Sequence, residues 1–160
     1  MIKILVALIV IGGFWAIGQS RNARVAARLS GLWRILDGLQ TMESEIRGIC
    51  APLPVAFEAA GRHSPLFQAA ARYCDEESGE AAFCHAVAEG ALEKPETEIL
   101  HSFAAGLSAE EEMGQLRNIQ HCHQRLSALC ARLEKEAARM DKLYSSSGIL
   151  AGILVVILLF

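Results

Sequence analysis

The chain has 160 residues, a net charge of −3, and 52% hydrophobic against 21% charged residues. That length allows one domain of ordinary size, and the acidic balance argues against a nucleic-acid partner. Five cysteines, an odd number without tight scaffold spacing, fit free thiols in a reducing compartment better than a disulfide framework.

The chain opens on an apolar window of 17 residues, between Lys3 and Arg21, that contains no charged side chain. About 17 apolar residues is the lower limit for crossing the bilayer core, so residues 1–20 are expected to form an N-terminal transmembrane helix. A cleaved signal peptide ending near Ala16-Ile17-Gly18 is the alternative. Arg21, Arg24, Arg28 and Arg34 crowd the exit side, which holds that side in the cytoplasm.

From Arg21 to Cys50, apolar residues recur at steps of three or four: Val25, Leu29, Leu32, Leu36, Leu39, Met42, Ile46 and Ile49. This predicts a helix of about eight turns with one buried stripe, widened by Trp33 and Ile35 and continuous with the first apolar window. Pro52 and Pro54 end it, and Pro54 suits the first turn of a following helix. Short helices should follow. Ser64-Pro65 reads as an N-cap with proline at the first helical position, Asp75 to Gly79 as a polar turn, and "EAAFCHAVAEGAL" as a further helix. Pro95 opens "ETEILHSFAAGL", which Gly106 closes.

Ser108-Ala109-Glu110-Glu111 matches a capping box and begins the longest element. Met113, Leu116, Ile119, Cys122/His123, Leu126, Leu129/Cys130, Leu133, Ala137, Met140 and Leu143/Tyr144 keep the same rhythm over a rod of roughly 54 Å. Arg132 and Glu136 should pair on the wet face. The last 18 residues, 143–160, again lack charge, and Arg132, Lys135, Arg139 and Lys142 precede them, so a C-terminal transmembrane helix of matching orientation is expected. Ser145 to Gly148 is the expected bend at its start. The predicted fold is all-α: a helical bundle of two long antiparallel helices capped by short ones. Transmembrane helices at 1–20 and 143–160 flank a cytoplasmic domain at 21–142.

Chemistry-bearing residues point to no site. His121-Cys122-His123 with Cys130 invites a metal or thiol sensor, but helical neighbours two apart diverge, so the histidines cannot share one ion. Cys122 and Cys130, eight apart, have core spacing. Cys84-His85 diverge likewise, and Cys84 is expected to be a small core residue beside Phe83 and Val87. Asp75-Glu76-Glu77 and Glu110-Glu111-Glu112 lack calcium-loop spacing. No phosphate loop is present, and Gly148-x3-Gly152 is a short, common helix-packing pattern. We therefore expect no catalytic, cofactor-binding or metal residues and no small-molecule substrate.

"LWRILDGLQTMESEIRGICAPLPVAF" (residues 32–57) resembles the first cytoplasmic helix and Pro-Leu turn of the stage III sporulation protein AB family. "ETEILHSFAAGL" is similar to that family's middle segment, and "LEKEAARMDKLYSSSGILAGILVVILLF" (residues 133–160) to its acidic-basic helix and C-terminal anchor. The resemblance implies a protein of endospore-forming Firmicutes, in the mother-cell membrane facing the forespore, with a domain similar to the inner-membrane platform of type II secretion and type IV pilus systems. It implies a non-enzymatic scaffold in a secretion-like channel complex. The implied partners are a secretion-type sporulation ATPase, other membrane proteins of that complex and the lipid bilayer. "QHCHQRLSALC" departs from the family pattern. A membrane-tethered thiol or metal sensor, and an unrelated two-span receptor or pore, are the alternatives.

Overall fold

Six α-helices and one 3-10 turn make up the computed structural model, which describes the backbone of residues 2–108 and 112–159 and the side chains of 23–108 and 112–140. Among the described residues there is no strand, so the chain is all-α. The helices are α1 (Ile2–Ile49), α2 (Leu53–Gly61), α3 (Pro65–Tyr73), α4 (Gly79–Glu89), α5 (Lys94–Ala105) and α6 (Glu112–Leu159), with the 3-10 turn at Gly106–Ser108. No helix among the described residues is long and apolar enough to cross a membrane. The side chains of both apolar windows lie outside the described set, as do Ala109 to Glu111 of the expected capping box.

Contact density divides the chain into two units, Ser30–Cys130 and the pair of segments Met1–Leu29 with Ala131–Phe160. In the second of these, Val25, Leu29, Leu133 and Ala137 are half-buried, and Arg132 Nε meets Glu136 Oε1 at 3.0 Å on the exposed face. Such an exposed i,i+4 pair contributes about 0.3–0.5 kcal/mol at most. The backbone of α6 stays helical through Ser145–Gly148, where a bend was expected.

The unit Ser30–Cys130 holds the core. In α1 the apolar stripe is buried at Leu32, Ile35, Leu36, Leu39, Met42 and Ile46. In α6 the matching stripe is buried at Leu116, Ile119, Cys122, Leu126 and Cys130. Two cross-contacts set the direction: Gln120 Nε2 donates to Glu43 Oε1 at 2.9 Å, and the Cys50 thiol reaches Glu112 Oε2 at 3.6 Å. The residue number falls along α1 as it rises along α6, so this pair is antiparallel.

The short helices do more than close the far end of that pair. Four fully buried phenylalanines, Phe57, Phe67, Phe83 and Phe103, come one each from α2, α3, α4 and α5. Phe83 links the other three, with ring centroids 5.8 Å from Phe57, 5.6 Å from Phe67 and 5.1 Å from Phe103. Each buried ring stabilises by roughly 1.5–3 kcal/mol, and each aromatic pair adds about 0.5–1.5 kcal/mol. Helix α1 meets this cluster at Gly38, where an added Cβ would stand 2.5 Å from Phe67 Cδ2. A glycine in mid-helix costs about 1 kcal/mol of helix propensity, and here it admits the ring.

Helix ends follow local chemistry with two surprises. The first is Cys50, which ends α1 at φ 50, a left-handed conformation more often taken by glycine. It lets the Ala51 N–H reach back to the Glu45 carbonyl at 3.4 Å before Pro52. As expected, Pro54 falls in the first turn of α2, and Pro65 in that of α3 behind an extended Ser64. Ser64 itself makes no side-chain cap. Ser78 caps α4, its Oγ accepting from Ala81 N at 3.4 Å. The second surprise is α5, which begins at Lys94, one residue before the expected proline. Glu96, only 1% exposed, accepts the Glu93 N–H at 2.6 Å and so fixes that start. At its other end, Asn118 Nδ2 of α6 donates at 2.8 Å to the Phe103 carbonyl, which also accepts the Gly106 N–H, and so ties the last turn of α5 to α6.

Candidate interaction surface

The apolar stripes overrun the core. Ile49 keeps the register of Ile46 and Met42, and Met113 that of Leu116, so both were expected to be buried. They are 70% and 60% exposed. Val55, in the first turn of α2, is 45% exposed. Ile49 and Met113 flank the Cys50–Glu112 contact, which brings the residue after α1 beside the first of α6, and Val55 follows five residues after Cys50. Scattered exposed apolar residues are ordinary, whereas several at one end of a domain mark a surface that meets something. Trp33, also expected to widen the buried stripe, is 47% exposed, because Ile35 and Leu36 already fill the face toward the core.

Charge around that end is mostly acidic. Glu45 lies one turn before Ile49, Glu58 three residues after Val55, and Glu112 beside Met113. Arg47 is held by Glu43 at 2.7 Å, leaving Arg117, one turn beyond Met113, as the other nearby cation on α6. Residues 53–105 carry nine acidic and three basic side chains, so the short helices are acidic as a group.

The thiols of Cys50, Cys74, Cys84 and Cys122 are not activated. The carboxylate of Glu112, by its charge and by accepting the thiol hydrogen bond, pushes the exposed Cys50 thiol up. Burial raises Cys74 and Cys84, and it takes Cys122 up to about 12. A nucleophilic cysteine needs the opposite shift. Cys84 is half-buried, and its Sγ lies 3.6 Å from His101 Nδ1 across to α5, not beside His85. His85 turns outward to Tyr73, edge-on at 5.5 Å, and to Glu77 at 3.4 Å, while the Tyr73 hydroxyl donates to Glu89 at 2.6 Å. This polar group ties α3, the turn after it and α4 together.

His121, Cys122, His123 and Cys130 are not brought into one site. Cys122 and Cys130 are buried in the core, His121 is exposed and His123 half-buried. No group of three metal-ligating side chains stands together among the described residues.

The family model described as stage III sporulation protein AB matches residues 3–160. The chain belongs to that family. Among solved structures, one described as stage III sporulation protein AB is similar at a TM-score of 0.63 and 24% identity. The match covers 70% of this chain and 97% of that one, and at that identity it speaks for the fold alone. No curated protein matches. The resemblance carried by residues 32–57, 96–107 and 133–160 therefore holds, and this member of the stage III sporulation protein AB family has a sporulation role.

The exposed end of this sporulation protein was hidden from sequence reading by periodicity itself. Rhythm reports which face of a helix is apolar, not how far along the helix its partners extend. One signal was available: Ile49 directly precedes a Cys-Ala-Pro break, and Met113 follows a run of glutamates, so both sit at helix ends where cover is thin. The Cys84–His101 contact spans 17 positions and carried no such signal.

Proposed function

We propose that this protein is a non-enzymatic membrane platform of the sporulation channel, a secretion-like complex between mother cell and forespore. Its helical domain receives a cytoplasmic secretion-type ATPase, and its apolar termini seat it among the other membrane proteins of the complex. The observation that carries the reading is that Ile49 and Met113, on either side of the Cys50–Glu112 contact, stay exposed on a domain whose core holds four buried phenylalanines. Family membership supports the sporulation setting. The two uncharged windows and the arginines and lysines that flank them support a two-pass arrangement in the mother-cell membrane facing the forespore, with residues 21–142 cytoplasmic.

Two experiments test this. The full-length chain, purified in detergent, should co-purify with the sporulation ATPase of the same organism; repeated failure sinks the platform reading. A reporter fused after Glu80 should be active only in its cytoplasmic form, and activity confined to an exported reporter overturns the topology.

A further inference from the structure

We propose that Cys84 of α4 and His101 of α5 form a surface site for a zinc-class divalent ion. The ion is held by the Cys84 Sγ and the His101 Nδ1, with water in its open positions. The site stands apart from the platform reading, and neither depends on the other.

The pair is made by folding. Helices α4 and α5 pack against each other, and Sγ and Nδ1 stand 3.6 Å apart across them. A tetrahedral ion with a metal–sulfur bond of about 2.3 Å and a metal–nitrogen bond of about 2.05 Å spans a sulfur–nitrogen separation of about 3.6 Å. The two donors are thus already spaced as neighbouring corners of such a site. A thiol–imidazole hydrogen bond holds that spacing, and the thiol proton leaves to solvent when the metal–sulfur bond forms.

Access and charge agree with this. Cys84 is half-buried and His101 exposed, and the residues one turn further along the same helices, Ala88 and Ala105, are small and exposed. Glu80, one turn before Cys84, lies close enough that its charge, after burial, raises the thiol, and the same negative charge favours an arriving dication. The other thiols lack this setting: Cys122 and Cys130 are sealed in the core, and Cys50 faces a carboxylate. Sulfur with imidazole suits zinc, whereas magnesium and calcium take oxygen. Two protein ligands are fewer than the three or four of a catalytic or structural zinc centre, so the ion keeps exchangeable positions open to solvent.

The tag-free full-length chain in detergent, reduced and stripped of metal, is titrated with Co²⁺. Thiolate-to-cobalt charge-transfer absorption should develop, and Zn²⁺ should displace it. Cys84→Ser keeps a hydroxyl donor for His101 but removes the soft ligand, and it should abolish the absorption. His101→Gln should weaken Co²⁺ binding about tenfold or more, since even the loss of an outer-shell partner costs that much. Cys50→Ser should leave the titration unchanged. In the wild type, Zn²⁺ should slow maleimide labelling of Cys84, mapped by peptide mass, while Cys50 keeps its metal-free rate. Absorption that survives Cys84→Ser overturns the site, as does unchanged affinity in His101→Gln or equal protection of Cys50 and Cys84. A wild-type chain that gives no charge-transfer band reduces the pair to a hydrogen bond and overturns it too.

Discussion

Replacing Gly38 by alanine tests the packing of α1 on the phenylalanine cluster against a built-in standard. The new Cβ would lie 2.5 Å from Phe67 Cδ2 and 2.6 Å from Cε2. Carbon atoms rest at roughly 3.5–4.0 Å, so the ring must retreat by about 1 Å. It has little room: Phe67 is fully buried, with Phe57 and Phe83 at 6.1 Å and 5.6 Å. Overpacking of this kind costs about 1–3 kcal/mol, against a gain of up to about 1 kcal/mol in helix propensity. Gly31 lies on the same helix with nothing within 4 Å of its would-be Cβ, so Gly31→Ala takes the propensity gain alone. The two variants should thus differ by about 1–3 kcal/mol in favour of Gly31→Ala, a gap in melting temperature of at least about 2 °C. Urea unfolding of the full-length chain, followed by far-UV circular dichroism, reads it as a shift in midpoint at constant slope. In a Phe67→Leu background the cost of Gly38→Ala should shrink, because the colliding ring is gone. Equal stability of the two alanine variants would refute the close approach of α1 to α3.

Phe83→Ala should lose about 3–5 kcal/mol, since its ring joins the other three. Val55→Ala should stay within about 0.5 kcal/mol in the same unfolding assay, and comparable losses at the two sites would contradict the placement of the core. Cys122 gives an alkaline signature: its thiol ionises near 8.5 when unfolded but only at about 12 when folded. Between about pH 9 and pH 11 the unfolded chain therefore sheds a proton that the folded chain keeps, and stability falls by up to about 1.4 kcal/mol per pH unit from this group. Cys122→Ala should make the measured decline shallower by close to one proton, and an unchanged slope would place the thiol in water. Cys50→Gly should stabilise by about 0.5–1 kcal/mol by relieving the left-handed backbone at φ 50; a loss of stability would show that the thiol contact to Glu112 outweighs that strain.

Sequence rhythm alone identified the all-α class, the two long helices, and the buried stripes from Leu32 to Ile46 and from Leu116 to Cys130. A helical period and a proline are local facts, legible over a few residues. The same reading placed Trp33, Ile49 and Met113 in those stripes, and the structure leaves all three exposed. Burial depends on what arrives opposite, and for those positions nothing in the described unit does. The start of α5 was missed by one residue because Glu93 and Glu96 cap it through a carboxylate, a pairing weaker as a sequence signal than the proline beside it.

What the sequence determined by itself is the set of helices, their apolar faces and the family, because these rest on spacing along the chain. Only the tertiary structure decided that four phenylalanines from four helices share one core, that Gly38 is the point where α1 admits it, and that the stripes emerge at one acidic end. Each of those is a relation between residues far apart in the chain, and it exists only once folding has closed the distance.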